Sequence, residues 1–282
     1  MTESSTPLGT TSDPDSLAPL FAALRDPDWQ TSQAATKALI AHQAAALPSL
    51  IAALTDPSGE VCRRAAQALG QIGDRQATAP LLAALHAPDP LLAWTAVAAL
   101  GNLGDPQAVA PLIALFQQPD PLERIYSIVS VALAGIGPAA VDPLMQLLSA
   151  GLPATPQARL YAAYALSRLA GSAMISLFIQ LLGDDSAEVR QVAADALGTL
   201  RAEIAVDALL DLLGDADADV RASTAQALGQ IGDPRVLAAL ATLQTDMEAT
   251  WEDDRVGDRA TQAIAAIQAR QPGGQDDQAI PN

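Results

Sequence analysis

Cysteine, lysine, histidine and the aromatic residues are all scarce in this chain. A single cysteine, Cys62, in 282 residues excludes an intrachain disulfide and a thiolate metal cluster. The two histidines, His42 and His86, have no second His or Cys near them in sequence, which argues against a zinc site. Lys37 is the sole lysine, and 32 acidic against 15 basic residues leave a formal charge of −17. A field of that sign repels phosphate backbones and anionic lipid surfaces, so neither nucleic acid nor membrane is expected as a partner. No run of 18 apolar residues escapes interruption by charge, Gly or Pro, so no membrane span is expected. MTESSTPLGTTSDPDS at the start has no basic segment and no apolar core, so no secretory signal is expected and the chain reads as cytoplasmic. A Gly-rich phosphate loop, a G-x-S-x-G element and a Ser-His-Asp set are all missing, so no catalytic residue and no metal ligand is assigned.

Half the residues are hydrophobic while only 3% are aromatic, so Ala and Leu supply the apolar surface. Alanine has the best helix propensity and lets helix backbones approach, whereas Val, Ile and Thr form no alternating runs. The reading is all-α. A repeat then dominates. LGQIGD at 69–74, LGNLGD at 100–105 and LGQIGD at 228–233 are close copies, and LAGIGP (133–138), LSRLAG (166–171) and LGTLRA (197–202) are degenerate ones. Their leading leucines, Leu69, Leu100, Leu133, Leu166, Leu197 and Leu228, are spaced 31, 33, 33, 31 and 31 residues apart, which is the mark of a helical solenoid.

Each unit reads as two helices. The first opens on a proline in its first turn, at Pro19, Pro48, Pro80, Pro111 and Pro143, where the missing N–H would have had no partner. An aspartate turn follows (Asp26-Pro27, Asp56-Pro57, Asp89-Pro90, Asp120-Pro121, then Asp184-Asp185 and Asp215-Ala216) and caps the second helix. Gly near the end of that helix accepts a left-handed C-cap, and Gly-Asp reverses the chain. Eight units result, roughly 16–45, 46–75, 76–106, 107–138, 139–171, 172–202, 203–233 and 234–270. They form one solenoid domain over 16–270, between tails at 1–15 and 271–282 that read as disordered. SAGLPATP at 149–156 lengthens one turn, and the acidic TDMEATWEDDRVGD (245–258) is inserted in the last unit, where an acidic loop reads first as solvated surface.

The unit D-x-x-x-x-V-R-x-x-A-A-x-A-L-G-x-I-G-D-P-R, best seen at Asp215–Arg235 and next at Asp184–Leu200 and Asp56–Asp74, closely resembles the short HEAT-like repeat of the phycobilisome lyase family. The resemblance covers about 250 residues and implies a right-handed α-solenoid of about eight helical hairpins. It implies a protein-binding scaffold that grips a phycobiliprotein subunit or a second HEAT-repeat subunit and assists bilin attachment or handling. No cofactor is required on that reading, and a linear tetrapyrrole is the ligand it implies. An adaptor for an unrelated protein partner is the alternative, because a fold does not decide a function. The di-iron repeat hydroxylases are excluded, since neither His42 nor His86 is followed by Glu.

With the V-R valine as position zero (Val61, Val189, Val220), positions 0, +4 and +8 face the core and +2, +3 and +6 face outward from the second helix. Regular repeats are polar or small there: Arg63, Arg64 and Gln67; Gln191 and Asp195; Ala222, Ser223 and Gln226. The middle of the chain is not. Trp94, Thr95 and Ala98, then Ser127, Ile128 and Val131, then Leu160, Tyr161 and Tyr164 occupy those positions. An apolar, aromatic surface of this kind marks a groove or interface, with Arg63, Arg64, Arg124 and Arg159 placed to hold carboxylates such as tetrapyrrole propionates. The competing reading is a one-residue slip in the fourth and fifth repeats, which would make the aromatics ordinary core. Arg190 and Arg221 read as a structural ladder to neighbouring aspartate turns, and Cys62, at the same position, as a small hydrophobe.

Overall fold

The computed structural model describes residues 17–118, 124–149, 155–169 and 171–270. The tails, most of the 149–156 loop and the Asp120-Pro121 turn lie outside them. Contacts divide the described residues after Ala140 into two compact units. In the first, α1 (Ala18–Ala23) pairs with α2 (Trp29–Ala41), α3 (Leu47–Ala53) with α4 (Gly59–Ile72), α5 (Thr78–Ala84) with α6 (Pro90–Leu103), and α7 (Val109–Leu115) with α8 (Arg124–Ile136). The second holds α9 (Val141–Ser149) with α10 (Pro156–Arg168), α11 (Ile175–Leu181) with α12 (Ala187–Thr199), α13 (Val206–Leu212) with α14 (Ala218–Ile231), and α15 (Leu237–Leu243) with α16 (Val256–Gln268). Each hairpin is one of the eight sequence units, and each unit is an all-α solenoid stack. Among the described residues the single β-type pairing is an isolated bridge from Ala249 to Arg255, and no single helix is long and apolar enough to cross a membrane.

The second helices make the tight layer. α4, α6 and α8 pack in series in one unit, and α12, α14 and α16 do so in the other. Small residues allow this. A Cβ added at Gly70, Gly101 or Gly198 would lie 2.6 Å from the Cα of Ala99, Ala132 or Ala227, below any real carbon contact. The first glycine of the L-G-x-x-G-D core is therefore where neighbouring backbones meet. The second glycine ends the helix in the left-handed region, at φ 76° for Gly73, 62° for Gly104, 89° for Gly137 and 87° for Gly232. The aspartate after it caps the next short turn: Asp74, Asp105 and Asp233 each accept the backbone N–H two residues on.

The aspartates between the two helices of a hairpin do two jobs. One carboxylate oxygen of Asp56, Asp89, Asp184, Asp215 and Asp246 accepts the N–H two residues on, building the turn. The carboxylate also takes an arginine from the preceding repeat: Arg25 on Asp56, Arg63 on Asp89, Arg159 on Asp184, Arg190 on Asp215 and Arg221 on Asp246. Arg190 and Arg221 reach back as well, donating at 2.8 Å to the carbonyls of Asp184 and Asp215 in their own turns. Each such guanidinium stitches two successive turns together, which is the ladder expected of Arg190 and Arg221. Burial pushes Asp215 upward in pKa, but its bonds from Arg190 and the Asp217 N–H outweigh that and hold it below the ordinary carboxylate range.

Candidate functional site

The register of the second helices holds along the described chain. Val61, Ala65 and Leu69, Leu92, Ala96 and Leu100, Val129 and Leu133, and Ala158, Ala162 and Leu166 are all buried at the core positions. The one-residue slip is therefore overturned. Val131 is 53% exposed and Tyr164 44% exposed, while Trp94, Ile128, Leu160 and Tyr161 are half-buried. In the first unit Trp94 stands on α6 and Ile128 and Val131 on α8, on the outward face of adjacent helices. In the second, Tyr161 and Tyr164 stand one turn apart on α10 with ring centroids 6.2 Å apart. Burial, and then the charge of nearby Asp195, push the Tyr164 phenol up, so it remains a donor at neutral pH.

The arginines fare differently. Arg63 is held by Glu60 at 2.6 Å and Asp89 at 2.5 Å. Arg64, expected to face outward, is buried and turned back onto Glu60 at 2.8 Å. Arg159 occupies the ladder position and forks onto Asp184 at 3.0 and 3.1 Å. All three guanidiniums are thus engaged by the protein's own carboxylates, which a ligand would have to displace. The Arg124 side chain lies outside the described residues. Ala222, also expected to face outward, is buried. Cys62 is buried and donates to the Asp56 carbonyl at 3.1 Å, the bond that Arg190 and Arg221 make to their own turns; burial pushes its thiol up, away from the reactive thiolate.

A second feature lies in the second unit, where the sequence shows only a solvated acidic loop. The insertion folds into a short strap. Its ends are joined by the Ala249–Arg255 bridge, the Thr250 N–H donates to the Asp254 carbonyl at 2.8 Å, and the Val256 N–H donates to the Glu248 carbonyl at 3.1 Å. The Trp251 backbone N–H donates to the Asp219 carboxylate on α14 at 2.9 Å. Arg259 on α16 pairs with Asp254 at 2.5 Å and with Glu252, and donates to the Gln226 side-chain oxygen at 2.6 Å. The strap is thereby tied across the outward faces of α14 and α16.

Beneath it is a cavity of about 260 Å³. Its floor comes from the outward positions of α12 and α14, namely Gln191, Asp195 and Thr199 with Ser223, Gln226 and Gln230; Tyr164 and Trp251 stand as aromatic walls. Asp195 is open to water in the cavity yet enclosed by protein on most sides. That burial pushes its carboxyl up to about 6, the Ser223 hydrogen bond and the Arg259 charge acting against it and Glu252 adding to it. Perturbed acids in clefts mark functional sites more often than ordinary surface. Among the described residues no group of three His, Cys, Asp or Glu side chains is arranged to hold a metal ion.

A stack of closely packed helical hairpins stitched by Arg–Asp rungs and carrying its variation on the second helices is a helical-repeat scaffold. The profile described as HEAT repeats matches residues 47–132 and 175–267, well over half the chain, and the protein belongs to that family. The match lapses between them, over the degenerate copies at 133–138 and 166–171. No curated protein sequence matches the chain. Among solved structures it is similar to YibA of Escherichia coli, at 20% identity over 96% of this chain and 99% of that one, with a TM-score of 0.50. Kap121p is matched at 15% identity over 90% of this chain and 34% of that one, with a TM-score of 0.63. The complex of CpcE and CpcF of phycocyanin lyase from Nostoc sp. is matched at 22% identity over 95% and 99%, with a TM-score of 0.42. At these identities the likeness concerns the fold alone.

Proposed function

We propose that this HEAT-repeat protein is a binding scaffold for another protein, which it engages through the outward faces of its second helices. The observation that carries the reading is the exposure of Val131 and Tyr164 at positions where the regular repeats are polar. Apolar and aromatic side chains held in water on closely packed helices are what a protein interface uses, and aromatic anchors supply most of its energy. The repeat signature resembles that of phycobilisome lyase subunits, so a phycobiliprotein subunit or a second HEAT-repeat subunit is the first partner to test, and a linear tetrapyrrole the first ligand. Bilin attachment is the narrower reading. Since Arg63, Arg64 and Arg159 are engaged by Glu60, Asp89 and Asp184, it rests on that resemblance alone.

The test is affinity capture from the native host with the wild-type chain, with Val131→Glu and with Tyr164→Glu, followed by identification of the retained protein and any chromophore. A protein retained by the wild type and lost from both variants is the expected result. Equal retention by all three, or no stable partner, would sink the reading. Adding a linear tetrapyrrole to the purified chain, alone and with that partner, tests the narrower one: a saturable red shift lost in Trp94→Ala supports bilin handling, and an unchanged spectrum removes it.

A further inference from the structure

The cavity under the strap carries negative charge that its own residues leave unanswered. Glu252 is spoken for by Arg259, and Asp219 by the Trp251 backbone N–H. Arg259, the one basic residue lining the cavity among the described residues, is consumed by Glu252, Asp254 and Gln226. Asp195, exposed to solvent in the cavity, has no ion-pair partner among the described residues. A carboxylate open to the cavity and without a counter-ion of its own can accept a charge-assisted hydrogen bond from a cation that enters.

The walls say which cation fits. Trp251 is 72% exposed and Tyr164 44% exposed, and both line the cavity. Aromatic faces attract organic cations through the ring quadrupole, most strongly when a carboxylate lies beyond them. Gln191, which also lines the cavity, carries a side-chain amide oxygen as a further acceptor. Among the described residues no set of three metal-ligating side chains is gathered here, and no guanidinium in the lining is left free for an anion. At about 260 Å³ the space is below the range of roughly 300–1,000 Å³ typical of drug-sized ligands, and is suited to one long side chain.

We propose that this cavity receives the ammonium or guanidinium head of a lysine or arginine side chain presented by a protein partner. The inference rests on the scaffold reading above and names the partner's chemistry at one site. A net charge of −17 draws basic partners toward the chain, and the cavity gives that attraction a specific seat. The seat is sensitive to pH. The ionisable groups facing Asp195 are Tyr164 from α10, Asp219 from α14, Arg259 from α16 and Glu252 from the strap. With its carboxyl at about 6, Asp195 is mostly ionised at neutral pH and takes up a proton as pH falls through that value, which weakens its hold on a cation.

The test titrates the full chain with Nα-acetylarginine amide and with its uncharged citrulline counterpart, following the Trp251 indole N–H by NMR, assigned with Trp251→Phe. A saturable shift with the arginine compound alone is expected. It should weaken roughly tenfold or more in Asp195→Asn, the equivalent of one ion-pair-scale interaction, and be weaker at pH 5 than at pH 7.5. Trp251→Ala, in the exposed strap, should also weaken binding, read from the shifts of the Gln226 and Gln191 amides, and guards against a folding defect in the first variant. An equal response to citrulline, or one untouched by Asp195→Asn, would overturn the proposal. If the captured partner is retained by wild type and Asp195→Asn alike and arginine gives no shift, the cation seat fails while the scaffold reading stands.

Discussion

Arg201 adopts a left-handed backbone, φ 49°, at the place in its repeat where Gly232 stands in the best copy. The reason is positional. The helix must end there and reverse, and a residue at C′ is driven into the left-handed region whatever its side chain. For an L-residue that conformation costs roughly 1–2 kcal/mol, part of which glycine returns as extra freedom in the unfolded chain. Arg201→Gly is therefore expected to stabilise the protein by about 1 kcal/mol, read as a higher urea midpoint at unchanged slope. An unchanged or lower midpoint would mean that the exposed Arg201 side chain matters more than its backbone. The substitution from Gly to Arg is plain in LGTLRA; that the backbone stays left-handed regardless is visible only in the fold.

At the scale of elements, the two glycines of the L-G-x-x-G-D core look alike in sequence and act by different physics. The second serves its own helix. The first serves the neighbour: Gly198 lies where an added Cβ would sit 2.6 Å from the Ala227 Cα and 2.8 Å from its Cβ. Gly198→Ala is expected to destabilise the chain by about 1–3 kcal/mol, the usual penalty for overpacking a closed contact, with little change in far-ultraviolet circular dichroism. A change below about 0.5 kcal/mol would show that α12 and α14 can separate freely. The strap teaches the same lesson in reverse. Residues 245–258 read as solvated acid because no local pattern announces a fold, yet the bridge at Ala249–Arg255 and the Trp251–Asp219 and Arg259–Gln226 bonds close it over a cavity. Those partners lie 32 and 33 residues away, one repeat back, beyond the reach of any local signal.

For the whole molecule, 32 acidic residues against 15 basic ones leave a surplus of negative charge that the Arg–Asp rungs cannot neutralise. Surplus like charge pushes a folded chain apart, while half-buried pairs feel salt less than exposed charges do. Raising sodium chloride from 0.02 to 0.5 M should therefore raise the melting temperature by about 2–4 °C, roughly 1 kcal/mol for a chain of this size. A steady fall with salt would show instead that the rungs, rather than the surplus, dominate.

The repeat itself, its period, the eight helical pairs, the C-cap glycines, the aspartate turns and the Arg190 and Arg221 rungs are all legible in the amino-acid sequence. Each depends on residues within one turn of each other or on a spacing that recurs along the chain. Local propensity and capping carry that information unaided. Tertiary structure alone decided three things: that the apolar side chains at Val131 and Tyr164 face water rather than core, that Arg63, Arg64 and Arg159 are already spent on Glu60, Asp89 and Asp184, and that the acidic insertion roofs a cavity around Asp195. These depend on what the neighbouring repeat presents, and a one-residue change of register, which sequence period does not resolve, would have reversed the first of them.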